Sequence, residues 1–269
     1  MCGITGRIST TPFPASIMYD MQEKLKTRGQ TSIGFVYTVG KDVMVVKSMG
    51  FPSKQVMKLD DETTIAIGHN RMPSRGEATP SNIHPFGHKG IYFGHNGSLD
   101  TGLLAKLIEL KKVDVTLEGN TDSEVVIKSL LELSDSDFYV LSQLLPSVSG
   151  SYAITMINTN TNELWAFKGS GSAMVISVSE NTVAVASESE AVPDGELYIA
   201  PEKGFALRAW IKDNHVELDF VGDAELRARK EIARVTYATE SVFGRYHGYT
   251  DSTAGATTNS NVYYRRWNY

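Results

Sequence analysis

The chain has 269 residues, 41% of them hydrophobic and 21% charged, enough to bury a sizeable core in one large or two small domains. A formal net charge of −5 excludes the concentrated basic surface that nucleic-acid binding needs, and no apolar run is long enough to span a membrane. One cysteine excludes an internal disulfide, and the start lacks the layout of a signal peptide, so the cytoplasm is the expected compartment.

In chain order, Ile4–Ile8 predicts a short strand. Phe13-Pro14 opens a helical stretch to Arg28, with Ile17, Met18, Met21 and Leu25 at helical spacing. Residues 34–48 predict a hairpin turning at Gly40-Lys41-Asp42, and 64–71 a strand. Met72–Gly90 holds three prolines and three glycines and predicts a long loop, a feature often tied to function. A strand over 91–100 leads into a turn; helices follow over Thr101–Lys112, Asp122–Leu133 and 138–145. Strands dominate from 151 to 220. Strands with helices, then a strand meander, point to α+β layered sheets and not to alternating βαβ units.

Composition breaks near Gly222. Asp223–Thr236, "DAELRARKEIARVT", predicts a charged helix, and 237–269 is a Tyr/Gly/Ser-rich tail. The stretch "DSTAGATTNSN" reads as flexible, whereas Tyr263, Tyr264, Arg265, Arg266, Trp267 and Tyr269 carry too much aromatic surface for a purely disordered end and read as a docking segment. Two units are therefore expected, 2–222 and 223–269.

The only cysteine, Cys2, lies next to the start. Once Met1 is removed, Cys2 carries a thiol and a free α-amine on one residue. A thiol titrates near ~8.5 and an α-amine near ~7.7–8.0, so a neutral amine can take the thiol proton and make Cys2 a nucleophile with its own base. The competing reading is a small buried hydrophobe.

Six segments occur in one order: "CGITG" at the start, "TRGQTSIGF" at 27–35, "GHNRMPSRGE" at 68–77, "NIHPF" at 82–86, "FGHNGSLD" at 93–100 and "NTDSEVV" at 120–126. Together they resemble the glutaminase domain of the class II glutamine amidotransferases, which are N-terminal nucleophile enzymes, and most nearly the glutaminase half of glucosamine-6-phosphate synthase. The resemblance runs from about Cys2 to Gly222. It implies a four-layer αββα sandwich, here followed by the C-terminal helix and tail. It implies that Cys2 attacks the side-chain amide of glutamine to form a γ-glutamyl thioester, with its amine as general base. Asn96 and the Gly97 N–H would form the oxyanion hole as neighbours in a tight turn, such donors being worth about 2.7–4 kcal/mol each; the plain alternative is an Asn-Gly turn.

Arg71 would grip the substrate α-carboxylate and Asp122 its α-ammonium, although Thr121-Asp122-Ser123-Glu124 also spells a capping box. Arg28, with Gly29, matches a position that supports the substrate site. Near relatives carry Trp, Ala, Thr and His where this chain has Met72, Pro73, Ser74 and Arg75. Ser74 can replace the threonine hydroxyl as a substrate partner, and Arg75 adds a fixed positive charge. His84 and His88 lack paired ligands at metal spacing, so neither metal nor cofactor is expected. The family relative continues into a sugar-isomerase half that would have no room here, so the implied partner is an ammonia-accepting synthase on another chain. Two other readings use the same residues: an amidohydrolase for a different amide, and a catalytically silent binding or assembly protein.

Overall fold

The computed structural model describes residues 1–73, 76–227 and 262–267, with side chains left undescribed from 225 onward. Nine strands form one antiparallel sheet in the order β14-β11-β9-β10-β1-β4-β2-β3-β15. These are β1 (Gly3–Pro14), β2 (Ser32–Val39), β3 (Asp42–Met49), β4 (Glu62–Arg71), β9 (Val175–Ser179), β10 (Thr182–Ala186), β11 (Leu197–Pro201), β14 (Ala224–Arg227) and β15 (Val262–Trp267). The second sheet runs β13-β12-β8-β7-β6-β5. Its strands are β5 (Phe86–His88), β6 (Ile91–Leu99), β7 (Gly150–Asn158), β8 (Glu163–Lys168), β12 (Phe205–Lys212) and β13 (His215–Val221). The helices are α1 (Ser16–Lys24), α2 (Lys54–Met57), α3 (Gly102–Glu109), α4 (Asp122–Leu133) and α5 (Phe138–Leu144).

Strand alternation builds the layers. Ile4 and Ile8 of β1, and Ile65 and Ile67 of β4, point between the sheets and meet Ile157, Leu164 and Leu207. Ala66, one residue out of phase, faces the opposite way and joins Met18 and Leu25 under α1. On the far side, Phe93, Ile154 and Trp165 of the second sheet pack against Ile127 and Leu130 of α4 and Leu141 of α5. Helix, sheet, sheet, helix is the expected four-layer αββα sandwich.

Three local expectations change. Phe13 and Pro14 do not open a helix; a register shift lets β1 resume pairing with β4 as Phe13↔Thr63 and Pro14↔Glu62, and α1 starts at Ser16. The 72–90 loop is partly ordered by a 3-10 turn at Pro80–Asn82 and by β5, where Phe86 pairs opposite Phe93. The charged helix from Asp223 is corrected over its first turn: Ala224–Arg227 is strand β14, paired with β11 as Ala200↔Glu225 and Ile199↔Leu226. Ala-Glu-Leu-Arg alternates at period two, and the edge of β11 supplies backbone partners that an isolated helical turn would lack. Residues 228–236 lie outside the described residues. Of the tail, Val262–Trp267 pairs with β3 across six positions, from Val262↔Ser48 to Trp267↔Val43. The aromatic-basic segment thus docks on the chain's own sheet edge, and residues 237–261 lie outside the described set. Among the described residues no helix is long and apolar enough to cross a membrane.

Candidate active site

The β1–β4 ladder sets the position of Cys2. Its last pair is Gly3↔Asn70, so Cys2 leaves the sheet beside Arg71 and Met72. The thiol Sγ lies 3.4 Å from both the backbone N and O of Met72. Arg28 holds Cys2 from behind: Nε donates to the Cys2 carbonyl at 2.9 Å, while Nη1 pairs with Glu188 Oε1 at 2.6 Å. Arg28 therefore touches the nucleophile's backbone in this structure. Gly29, its neighbour, lies so close to β4 that a Cβ would stand 2.6 Å from the Arg71 carbonyl carbon. Burial pushes the Cys2 thiol above its ordinary value, and the Met72 N–H, the chain-terminal amine, Arg71 and Arg28 pull it down by less. The thiol is protonated at neutral pH and needs a base to react.

The second sheet brings Asn96. The Cys2 backbone N–H donates to Asn96 Oδ1 at 3.1 Å. A donor facing the amide fixes its oxygen there, so Nδ2 is the other end. That Nδ2 is buried and has no partner among the described residues. Buried donors are almost always satisfied, so this Nδ2 is a candidate donor to a bound group. Ser172 Oγ donates to the Asn96 carbonyl at 3.0 Å and steadies the residue.

Asn96 and Gly97 do not form the tight turn that the sequence leads one to expect. Both lie inside β6, opposite Ala153 and Tyr152 of β7, because the ladder continues to Leu99↔Gly150. Gly97 has φ 147°, and a Cβ there would sit 2.0 Å from the Ser151 carbonyl oxygen. Gly97→Ala should therefore destabilise the protein by about 3 kcal/mol or more, from the strained backbone and the overlap together. Urea unfolding at neutral pH reads this directly; an unchanged midpoint would mean the backbone there is not constrained.

Arg71 and Asp122 line the same cleft as Cys2, Met72 and Gly97. Arg71 Nη1 donates to the Glu77 carbonyl at 2.8 Å, and Nη2 lies 3.4 Å from the Gly76 carbonyl. Burial lowers the guanidinium from its ordinary value, and the Asp122 carboxylate opposes that. Asp122 is the first residue of α4. Its Oδ2 accepts from the Leu99 N–H at 2.7 Å and its Oδ1 from the Ser123 N–H at 2.9 Å. Only half the expected capping box forms: Thr121 Oγ1 accepts from the Glu124 N–H at 3.2 Å, while the Glu124 carboxylate turns to the Gly119 N–H at 2.8 Å and Lys128 Nζ at 2.7 Å. Glu124 is wholly buried and needs a cation more than a cap. Ser74 lies outside the described residues.

Three buried histidines cluster here, unmarked as a group in the sequence, and His84 and His95 line the cleft. His69 Nε2 donates to the His95 carbonyl at 3.0 Å, and its ring stacks on His84 at 4.2 Å between centroids. His95 Nδ1 lies 2.8 Å from Ser123 Oγ and its Nε2 3.4 Å from the Ser151 carbonyl, so the hydroxyl donates to Nδ1. Burial pushes His69 down to about 3, His84 well below its usual range and His95 down as well. An unfolded histidine titrates near ~6.5, so as pH falls below that the unfolded chain binds protons that the fold refuses. Stability should fall with pH below about 6.5, by about 1.4 kcal/mol per pH unit for His69 until its folded value near about 3 is reached, with His84 and His95 adding in the same direction. Comparing urea midpoints at pH 7.5 and 5.0 tests this; His69→Gln should flatten the slope, and an equal slope would refute the assignment. His88 instead pairs with Glu132 at 3.0 Å. Among the described residues no group of three or more His, Cys, Asp or Glu could hold a metal ion.

No protein-family model matches the chain. Among solved structures, the glutamine phosphoribosylpyrophosphate amidotransferase of B. subtilis, complexed with ADP and GMP, superposes with a TM-score of 0.64 at 22% identity, over 81% of this chain and 49% of that one. A glutamine aminotransferase class-II domain protein from Silicibacter pomeroyi gives 0.51 at 14% identity, over 82% of this chain and 100% of that one. The chain shares the fold of these amidotransferase structures. In sequence, the glutamine–fructose-6-phosphate aminotransferase (isomerizing) of Listeria monocytogenes is 32% identical over 226 residues, 77% of this chain and 37% of the relative. That of Shouchella clausii is 28% identical over 255 residues, 88% of this chain and 42% of the relative. The chain thus spans well under half the length of these curated relatives and is homologous to their glutaminase domain.

Proposed function

We propose that the protein hydrolyses glutamine to glutamate and ammonia through a Cys2 γ-glutamyl thioester, and that the ammonia passes to a synthase supplied from outside these 269 residues. The observation that carries the reading is the contact of Cys2 N with Asn96 Oδ1, which leaves the other end of that amide a buried donor without a partner among the described residues. Met1 is 67% exposed, within reach of an aminopeptidase. Its removal turns the Cys2 nitrogen from an amide into an amine already held by Asn96.

The amine then takes the thiol proton while Sγ attacks the side-chain carbonyl carbon of glutamine. Charge gathers on the carbonyl oxygen, where Asn96 Nδ2 and the Gly97 N–H would donate. The ammonium at Cys2 returns its proton to the leaving nitrogen and ammonia departs. Water, deprotonated by the same amine, splits the thioester and frees glutamate. Arg71 would hold the α-carboxylate and Asp122 the α-ammonium within the cleft that both line, and Arg28 would position Cys2 through its carbonyl.

The test is release of glutamate and ammonia from glutamine by the processed protein, with the chain mass measured on the same sample. Hydrolysis of glutamine in preference to amides that lack the α-amino acid group supports the reading. Preference for a simple amide would reject the Arg71–Asp122 clamp. Retention of ammonia inside a complex with a synthase, against free release by the isolated protein, tests the acceptor.

A further inference from the structure

We infer that Asn82 is a positioning residue that latches the Glu77 loop, and through it Arg71, to the segment leading into the Asp122 helix, so that the Arg71 end of the substrate clamp is set against the Asp122 end. The inference rests on the glutamine-hydrolysis reading and concerns how that site recognises its substrate.

Asn82 is buried, at 1% exposure, in the 3-10 turn Pro80–Asn82. Its Nδ2 donates to the Glu77 carbonyl at 3.0 Å and to Asn120 Oδ1 at 2.7 Å. Its Oδ1 accepts from the Asn120 backbone N–H at 3.0 Å. That backbone donor fixes which end of the side chain is oxygen, so the three contacts form one consistent set. The Glu77 carbonyl also receives Arg71 Nη1 at 2.8 Å. Asn82 therefore aims the acceptor that aims the guanidinium. Across the latch, Asn120 is followed by the N-cap Thr121 and then by Asp122.

The far side is rigid. The Glu124 carboxylate accepts from the Glu118 and Gly119 N–H groups, and Lys128 Nζ donates to the Thr116 carbonyl at 2.8 Å, tying the segment before α4 to the helix itself. The near side has no comparable anchor in sequence: residues 76–79 are exposed or half-exposed loop. Contact is so close that a Cβ on Gly119 would stand 2.0 Å from Asn82 Oδ1. Loss of the latch would leave Asp122 in place and free the Glu77 carbonyl, so Arg71 would lose its setting while Cys2 and Asn96 kept theirs.

The prediction is a split between binding and chemistry. Asn82→Asp keeps size and the acceptor for Asn120, but cannot donate to the Glu77 carbonyl. It should raise the KM for glutamine about ten- to a hundredfold, the scale of an ångström-level misplacement, and leave kcat within about threefold. Asn120 is exposed, so Asn120→Ala gives a second variant expected to fold, with a KM shifted in the same direction. The double variant should be no worse than the more severe single one, because both break one latch. An unmoved KM in both single variants, a fall in kcat at constant KM, or additive effects would each overturn the inference. Failure of the wild-type protein to hydrolyse glutamine would overturn the functional reading and this inference with it, whereas wild-type turnover with an unmoved KM overturns this inference alone.

Discussion

Cys2→Ala should abolish glutamine hydrolysis, with a fall in kcat on the scale of ~10⁴–10⁶, the loss seen when a covalent nucleophile is removed. The fold should survive, since Cys2 leaves β1 at its first paired residue and contributes no core contact that alanine would forfeit. The same experiment can separate the thiol from its base. Burial raises the thiol in the chain that carries Met1, so a base is needed to deprotonate it at the moment of attack. With the α-amine as base, kcat/KM should rise as pH increases through the amine's ordinary range of about 7.7–8.0, because only the neutral amine accepts a proton. Turnover should also scale with the fraction of chains that have lost Met1, read from intact mass. A sample in which every chain retains Met1 and still turns over would sink the amine assignment, while leaving the thiol in place.

The layers were legible because strand alternation is local. Ile4, Ile8, Ile65 and Ile67 announce an inward face within their own segments, and α4 spans the residues its periodicity predicts. Of the proposed site residues, the motifs singled out Cys2, Arg71, Asn96 and Asp122 as types; Cys2, Arg71 and Asp122 line one cleft, and Asn96 touches Cys2. What supports them was not legible. Glu188 reaches Arg28 across 160 residues, and the amides of Asn82 and Asn120 meet across 38. Neither distance leaves a trace in composition or spacing. Asn96-Gly97 misled in a different way: a dipeptide that favours turns sits inside β6, where nine paired positions with β7 outweigh local preference. The Ala224–Arg227 segment shows the same contest at a sheet edge, with ladder hydrogen bonds to β11 prevailing over helical composition. Glu124 escaped as a cap because its partner, Lys128, is buried with it, a need that appears only once α4 is packed.

Asn96→Ala should lower kcat by about 10²–10³, the cost of removing one preorganised oxyanion donor. The side chain does two things, and substitutions can part them. Its Oδ1 holds the Cys2 nitrogen at 3.1 Å, and its Nδ2 is the buried donor without a partner. Asn96→Asp retains an oxygen toward Cys2 and replaces the donor with a second oxygen, which would repel the developing negative charge. It should therefore be at least as slow as alanine, even though the nucleophile's nitrogen keeps its anchor. Alanine loses both contacts but adds no repulsion. The KM for glutamine should move little in either variant if the proposed Arg71–Asp122 clamp holds the amino-acid end. Steady-state kinetics of the two variants decide the matter. Faster turnover by the aspartate variant than by alanine would assign Asn96 to holding the amine and leave the oxyanion to the backbone N–H of Gly97.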